Sequence, residues 1–481
     1  MFQNRISRFF QAAGRPVADW WTRLVSRHRL PAAYRSETRP VSLGQWLRWK
    51  YTKRRRKLEI RYARLLNRQV APIAHFGRKG PLRTLARTWL SLWSKDYAFL
   101  PLARRANGSV PIGRLAPACD FQSVAPTGVG KEPQMLRGTF PALEARRFTA
   151  ATVMGTGSAV QSKKLICVPD LYIGSKRVLI TDGAFLVSQS RDLGVLRIEG
   201  LRPLDKGIAV FGSGATNWYH WLIEILPAAH LAARLPQDLQ NLPLLVPAKC
   251  LQIPQFREAL DAVTQGRAVV ALDDGVPYRV GELVVIDDPV RGPMNLVEGA
   301  WPVVSDYAQN ADVMRRYRAG ILDHFGISPP PPDRMLFLAR DATRRSYNQT
   351  EILAIAERHG FEAVYPEKMS FRDQVAMYAS ARFLAGPSGA AFANMLFCQS
   401  GTQGLTWILP QYDQFCAFSN LAAIVGLDLR YLFVTPDTEV KSSFDAYSAT
   451  STLDPSAFET SLAAMLATAD STSTPGNGTR G

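Results

Sequence analysis

Cysteine is scarce in this chain of 481 residues: five are present, at 119, 167, 250, 398 and 416. None forms a C-x-x-C pair, and their spacing gives neither a disulfide framework nor a structural zinc site. They read as reduced, mostly buried thiols. No run of about 18 apolar residues free of charge occurs, which argues against a membrane-spanning helix. The basic N-terminus is not followed by a compact apolar stretch with a small-residue cleavage site, so no secretory signal is expected. Several catalytic signatures are missing as well. There is no Gly-x-x-x-x-Gly-Lys-Ser/Thr phosphate loop, no Gly-x-Gly-x-x-Gly fingerprint and no Gly-x-Ser-x-Gly elbow. ATPase chemistry, a dinucleotide fingerprint site and a serine-hydrolase elbow are disfavoured together. No Asp-x-Asp stands between strands; the carboxylate pairs Asp273-Asp274 and Asp287-Asp288 are adjacent instead. A metal-bridged nucleotide-sugar site is therefore not expected, and cations of the chain itself would have to neutralise a phosphorylated leaving group.

Acidic residues are scarce at one end. Residues 1–110 hold 25 Lys and Arg against four acids, a net charge of +21; the rest of the chain holds 33 against 36, a net of −3. The basic stretch also carries six of the ten tryptophans, Trp20, Trp21, Trp46, Trp49, Trp89 and Trp93. Lys53-Arg54-Arg55-Arg56-Lys57 is its densest charge cluster. Cations beside Trp and Leu suit an anionic bilayer surface, where the rings sit at headgroup level. A solvated arm without a specific partner is the plainer reading, and phosphate on nucleic acid is a less favoured attractor of the same charges. The first 30 residues are also Arg-rich and acid-poor, as in a transit peptide, although the basic stretch runs far beyond that length.

With 47% hydrophobic and 20% charged residues, the body reads as globular. Short apolar runs at Val178–Thr181, Ala209–Gly212, Leu244–Pro247, Val269–Leu272 and Leu283–Asp287 alternate with helical patterns. This alternation predicts an α/β unit with a mainly parallel sheet. Four consecutive prolines between Ser328 and Asp333 mark a stiff linker. Alternation then restarts. Strands are expected at Met335–Ala339, Phe361–Tyr365, Phe383–Ala385 and Leu405–Leu409. Helices are expected at Ile352–Arg358, with Asn348 and Glu351 as a capping box, at Phe371–Ala381, capped by Ser370, and near Ala391–Phe397. The expected organisation is a basic arm at 1–110, an acceptor half at 111–327, the linker 328–333, a nucleotide-binding half at 334–440, and a C-terminal helix with a disordered tail at 441–481. A cleft between two such halves is where a ligand is expected.

Three constellations could carry chemistry. The first is Asn217-Trp-Tyr-His-Trp-Leu-Ile-Glu224. At helical spacing Trp218, Trp221, Leu222, Ile225 and Ala229 share one apolar stripe, while Asn217, His220 and Glu224 share a polar one. His220 is a candidate general base tuned by Glu224, with Asn217, Trp218 and Tyr219 as cleft contacts. The alternative is an amphipathic helix with a hydrogen-bonded histidine; a third metal ligand is not apparent nearby. Pro227 is expected to kink or end the helix. The second constellation is Arg340, Arg344, Arg345 and Asn348, just after a strand, where arginines can clamp a diphosphate. The third is the turn Gly386-Pro-Ser388-Gly389-Ala390 leading to Asn394, a possible phosphate cradle. Glu367, at the end of the second strand of that half, could take ribose hydroxyls.

These stretches resemble glycosyltransferase family 61. Its Asn-aromatic-aromatic-His-Trp-Leu-x-Glu helix is matched by Asn217 to Glu224. Its arginines and asparagine before a helix are matched by Arg340, Arg344 or Arg345, and Asn348. Its Pro-Glu-x-x-Ser-Phe stretch is matched by Pro366, Glu367, Ser370 and Phe371, and its Gly-Pro-His-Gly-Ala turn with a following Asn-Met by Gly386, Pro387, Gly389, Ala390, Asn394 and Met395. Ser388 stands where the family usually has His; serine offers a hydrogen bond but no positive charge. The resemblance covers about residues 165–435. It implies a GT-B-like fold of two Rossmann-like domains facing a cleft, a nucleotide-sugar donor in the C-terminal half, and inverting, metal-independent transfer of a hexosyl or pentosyl group with no cofactor. The acceptor would be a glycan or a lipid-linked glycan. Bacterial relatives build surface or capsular polysaccharide, which for a chain without a spanning anchor implies a cytoplasmic enzyme peripheral to the inner face of the membrane. Two other classes stay open: a non-catalytic nucleotide-sugar or glycan-binding relative, on the strength of Ser388, and a nucleic-acid-binding protein, on the strength of the basic arm.

Overall fold

Two sheets, one mixed and one parallel, organise the computed structural model of the protein. It describes residues 97–473 with short breaks at 170–171, 174–175, 183, 191–192, 265, 294–295, 297–298, 342–345 and 447–448, together with Arg54. The basic arm as far as residue 96 is otherwise outside the described residues, and so is the tail beyond 473. The described residues from Arg54 onward fall in one compact unit. Among the described residues no helix is long and apolar enough to cross a membrane.

The parallel sheet follows the linker. Its strands run in the order Glu362–Val364, Arg334–Leu338, Ala381–Pro387, Gln403–Ile408 and Asp428–Phe433, each parallel to its neighbour. In chain order this is 2-1-3-4-5, so the winding reverses between Arg334–Leu338 and Ala381–Pro387. That reversal opens a crevice at the carboxyl ends of those two strands. The helices Gln349–Arg358, Phe371–Ala379 and Ala417–Val425 connect successive strands. Ser370 caps the second as expected, its side chain accepting from the Asp373 N–H. Asn348 stands at the N-cap position of the first, but its carboxamide turns elsewhere. It accepts from the Leu453 N–H at 2.9 Å and donates to the Leu453 carbonyl at 2.9 Å and to Glu351 at 2.8 Å. The expected capping box is replaced by a clamp on the C-terminal segment. That segment continues as the helix Pro455–Ser473, longer than the apolar pattern suggested. Its Phe458, Leu462 and Met465 pack with Phe337, Ile352, Phe361 and Trp407, and this apolar contact is what keeps the segment folded.

The mixed sheet corrects the expectation of a mainly parallel N-terminal half. Only Tyr278–Ile286, Arg202–Ala209, Leu244–Pro247 and Val269–Leu272 form a parallel block. Strand Leu143–Val153 runs antiparallel to Tyr278–Ile286, and the sheet continues beyond it through mostly antiparallel partners to Leu186–Gln189. Short connections account only for the antiparallel pairs that are neighbours in the chain, Leu143–Val153 with Val160–Ser162, Val160–Ser162 with Leu165–Val168 and Leu186–Gln189 with Leu193–Arg197, since a parallel return needs a crossover of a dozen or more residues. Residues 97–110, basic by composition, contribute the strand Tyr97–Arg104 to this sheet. The runs at Val178–Thr181 and Ala209–Gly212 are not strands: the former is reduced to a bridge at Val178, and the latter is where Arg202–Ala209 ends.

The sheets are not independently cored. One hydrophobic cluster includes Trp221, Leu222, Val246 and Leu260 from the mixed half and Phe371, Phe392, Phe397 and Leu421 from the parallel half. Thr127–Gly128, early in the chain, adds an outer strand to the parallel sheet. Glu258 accepts from the N–H groups of Phe371 and Arg372 at 2.6 and 3.1 Å, a carboxylate at a helix N-terminus. The proline linker is tied down too: Gln399 donates to the Pro330 carbonyl at 2.5 Å.

Candidate active site

The segment from Asn217 to Leu231 builds one wall of a cavity. Pro227 has no N–H, and its ring would press on the Ile223 carbonyl in an uninterrupted α-helix. The chain meets this with a wider turn: His220–Ile225 is a π-helix, in which the Leu226 N–H donates to the Trp221 carbonyl. The helix then continues as Leu226–Leu231 rather than ending at Pro227. Trp221, Leu222 and Ile225 are buried. On the opposite side His220 Nδ1 lies 2.6 Å from Glu224 Oε2, with the two side chains 20% and 26% exposed. With Nδ1–H donated to the carboxylate, Nε2 is left to accept a proton. Burial pushes the imidazole pKa down, but the charge and the hydrogen bond of Glu224 outweigh it and hold it above the ordinary histidine value. Tyr219 is buried, and the burial, followed by the negative charge of Glu224, keeps its phenol protonated well above the usual range.

The facing wall lies at the crevice of the parallel sheet. Gly386 has φ +154°, and a Cβ there would come within 2.9 Å of Leu338 Cβ on the neighbouring strand. At Gly389 the backbone is extended, and a Cβ there would displace the Arg340 guanidinium. Arg340 Nη2 donates to the carbonyls of Pro387 at 3.1 Å and Ser388 at 2.6 Å. Its own backbone is held by Gln349, which accepts from its N–H and donates to its carbonyl, both at 2.8 Å. Arg340 is thus the brace behind the turn and does not line the cavity. Arg344 and Arg345 lie outside the described residues.

Between these walls is an open cavity of about 1240 Å³, counting the space continuous with solvent. Asn217, Tyr219, His220 and Glu224 line it from one side and Ser388, Gly389 and Ala390 from the other. The structure therefore brings together the helix and the turn that the sequence set 160 or so residues apart. It leaves other candidates behind the walls. Trp218 Nε1 donates to Asn394 Oδ1 at 2.9 Å, and the Asn394 amide donates to Gln374 at 2.7 Å. The Trp218 ring meets Phe256 and Phe371 edge-on at 5.1 and 5.4 Å. Trp218 and Asn394 are posts joining the two halves, and neither lines the cavity. Glu367 is exposed on a short turn after the second strand and does not line the cavity, and Asn348 serves the C-terminal segment.

The sequence did not point to Arg291, Tyr412 or Phe415, which also line the cavity. Arg291 sits in Asp288-Pro-Val-Arg-Gly-Pro293, a segment punctuated by Pro and Gly, and that loop character was its only signal. Its guanidinium lies 5.2 Å from the Phe140 ring centroid. Tyr412 packs edge-on against Trp301 at 4.9 Å and Phe415 at 5.5 Å, giving the cavity an aromatic end. Among the described residues no group of three or more His, Cys, Asp or Glu side chains gathers as a metal site.

A pocket with a histidine–carboxylate pair, an arginine, an aromatic end and a backbone turn at a sheet crevice can bind a phosphorylated, ring-bearing molecule and accept a proton beside it. Comparison with known proteins gives this arrangement a context. Residues 218–405 match the model of the family described as Glycosyltransferase 61. No curated protein matches the chain.

Proposed function

We propose that the chain, whose residues 218–405 match the model of the family Glycosyltransferase 61, is a member of that family and transfers a hexosyl or pentosyl group from a nucleotide sugar to a glycan or lipid-linked glycan, with inversion and without a metal ion. The observation that carries this reading is the His220–Glu224 pair facing the Ser388–Gly389 turn across one cavity. The two halves then act as the lobes of a GT-B-like enzyme. The nucleobase stacks at the Tyr412 and Phe415 end. The diphosphate lies along the Ser388–Ala390 turn, with Arg291 as its counter-charge in place of a metal. The acceptor oxygen attacks the anomeric carbon as the bond from that carbon to the diphosphate oxygen breaks. His220 Nε2 takes the acceptor's proton, and Glu224 stabilises the imidazolium that results. The basic arm docks on the inner face of an anionic membrane, where lipid-linked acceptors reside, and the product is surface polysaccharide.

Release of nucleoside diphosphate from a panel of UDP-, GDP- and CDP-sugars, with crude glycan acceptor and with or without EDTA, tests the reading. The expected result is turnover of one donor, insensitive to EDTA and reduced at least a hundredfold in His220→Ala. Full turnover by His220→Ala would remove the base assignment. Ser388 supports a second reading, a relative that binds the donor without transferring it; nucleotide binding with no turnover under any acceptor would favour that one.

A further inference from the structure

A second cavity, of about 1880 Å³ with its open mouth, adjoins the first. The two share four wall residues, Glu224, Val290, Arg291 and Gly292. It belongs to the mixed-sheet half, and of the candidate site residues read from the sequence only Glu224 lines it. Its walls are unusually charged. Arg104, Arg105, Arg146 and Arg291 face it, with Asp287, Asp288 and Glu224 as the acids. Arg105 is held by Asp288 at 3.4 Å. Arg146 is held by Glu144 at 2.6 Å and lies 4.0 Å from Asp287. Glu224 is engaged by His220. Arg104 and Arg291 pair with no carboxylate among the described residues, so two positive charges remain uncompensated.

We infer that this second cavity is a binding site for an anionic saccharide, a sugar chain carrying carboxylate or phosphate groups. Fixed Arg–Asp pairs offer donors and acceptors side by side, which suits the vicinal hydroxyls of a sugar. Ser158, Thr181 and Ser213 add short hydroxyls to the same wall. Arg104, exposed and without a carboxylate, supplies the charge that selects an acidic sugar over a neutral one. Arg291 faces both cavities and is shared with the phosphorylated ligand of the first. Because Glu224 also belongs to both walls, a saccharide in the second cavity has its end at the base of the first; its role as acceptor rests on the transferase reading, whereas its binding does not.

The test is calorimetric titration of the full chain with tetragalacturonate, maltotetraose and glucose 6-phosphate. The expected result is that tetragalacturonate binds at least tenfold more tightly than maltotetraose, with an affinity that falls as salt is raised. Glucose 6-phosphate showing the same preference would place phosphate beside carboxylate as the recognised anion; its failure to bind would restrict the site to carboxylates. Arg104→Ala should abolish the preference for the acidic sugar, and Thr181→Trp, which fills the cavity, should block both oligosaccharides. Neither change should alter the thermal shift produced by the nucleotide, which reports the first cavity and shows that the variant is folded. Equal affinity for acidic and neutral chains, or unchanged binding by Thr181→Trp, overturns the inference. Saccharide binding with no nucleotide shift in any variant would instead sink the donor site and leave this one standing.

Discussion

On one wall of the first cavity Ser388, Gly389 and Ala390 present backbone and the smallest side chains; on the other, His220 and Glu224 present ionisable groups. The first wall is fixed by geometry. Its shape follows from the close approach of two parallel strands at Gly386 and from Arg340 bonded to the carbonyls of Pro387 and Ser388. The second wall is fixed by packing behind it, with Trp218 and Trp221 seated against Phe256 and the π-helix aiming His220 outward. On the proposed function the difference is a division of labour: the backbone wall would bind and orient, and the ionisable wall would move a proton. A substitution on one wall should therefore leave the other's function readable.

The largest separation is expected from His220→Ala. It should lower kcat by roughly a hundred- to ten-thousandfold, the usual loss for a general base, while nucleotide affinity measured by titration stays within about twofold. On the other wall, Gly389→Val should displace Arg340 and weaken nucleotide binding by about tenfold or more, equivalent to about 1.4 kcal/mol. Such a variant given saturating donor should recover most of its kcat, which the histidine variant cannot do. Loss of kcat alone in Gly389→Val would erase the distinction between the walls.

Behind the walls, Trp218→Ala should cost about 3 kcal/mol of stability, near the low end for deleting a large aromatic because the ring is half-buried. Urea denaturation would measure it. The Asn394 amide loses its indole partner in the same variant. Glu224→Gln gives a smaller effect with a definite sign. In the native protein Glu224 raises the His220 pKa above its ordinary value. The charged pair thus contributes stability below the unfolded histidine pKa, about 6.5, and this contribution is lost as pH rises through the folded pKa. Activity should run the other way, rising as the imidazole loses its proton. With Gln at 224 only burial remains, so the acidic limb of kcat/KM should move to lower pH. An unmoved limb would mean that another group is the base. Smallest of all, Ser388→His adds an imidazole to the backbone wall and should change kcat less than tenfold if Arg291 already neutralises the leaving diphosphate.

The parallel sheet was legible in the sequence because each of its elements is short, punctuated and locally consistent: Ser370 caps its helix, Gly360 ends one, and the apolar runs match the observed strands within a few residues. The mixed sheet was less so. Its pairings join segments far apart in the chain, such as Leu143–Val153 with Tyr278–Ile286, and period-two patterning says nothing about the partner. At the site the His220–Glu224 pair could be anticipated from spacing alone, since i and i+4 share a face of any helix-like turn. Arg291 could not, because it reaches the cavity from the two-residue strand Val290–Arg291, flanked by Pro289, Gly292 and Pro293 and too short to show a periodicity. Trp218 and Asn394 mislead from sequence for a related reason. An aromatic and an amide beside a candidate catalytic histidine look like ligand contacts until packing shows that each satisfies the other.

The central claim is that the cavity between these walls holds a nucleotide sugar. Thermal shift of the full chain against UDP, GDP and CDP and their sugars, with and without Mg²⁺, on the native sequence and on Gly389→Val, tests it most directly. The account predicts stabilisation by one nucleotide family, independent of Mg²⁺ and lost in the variant. No shift with any nucleotide, or a shift that Gly389→Val leaves intact, would contradict it.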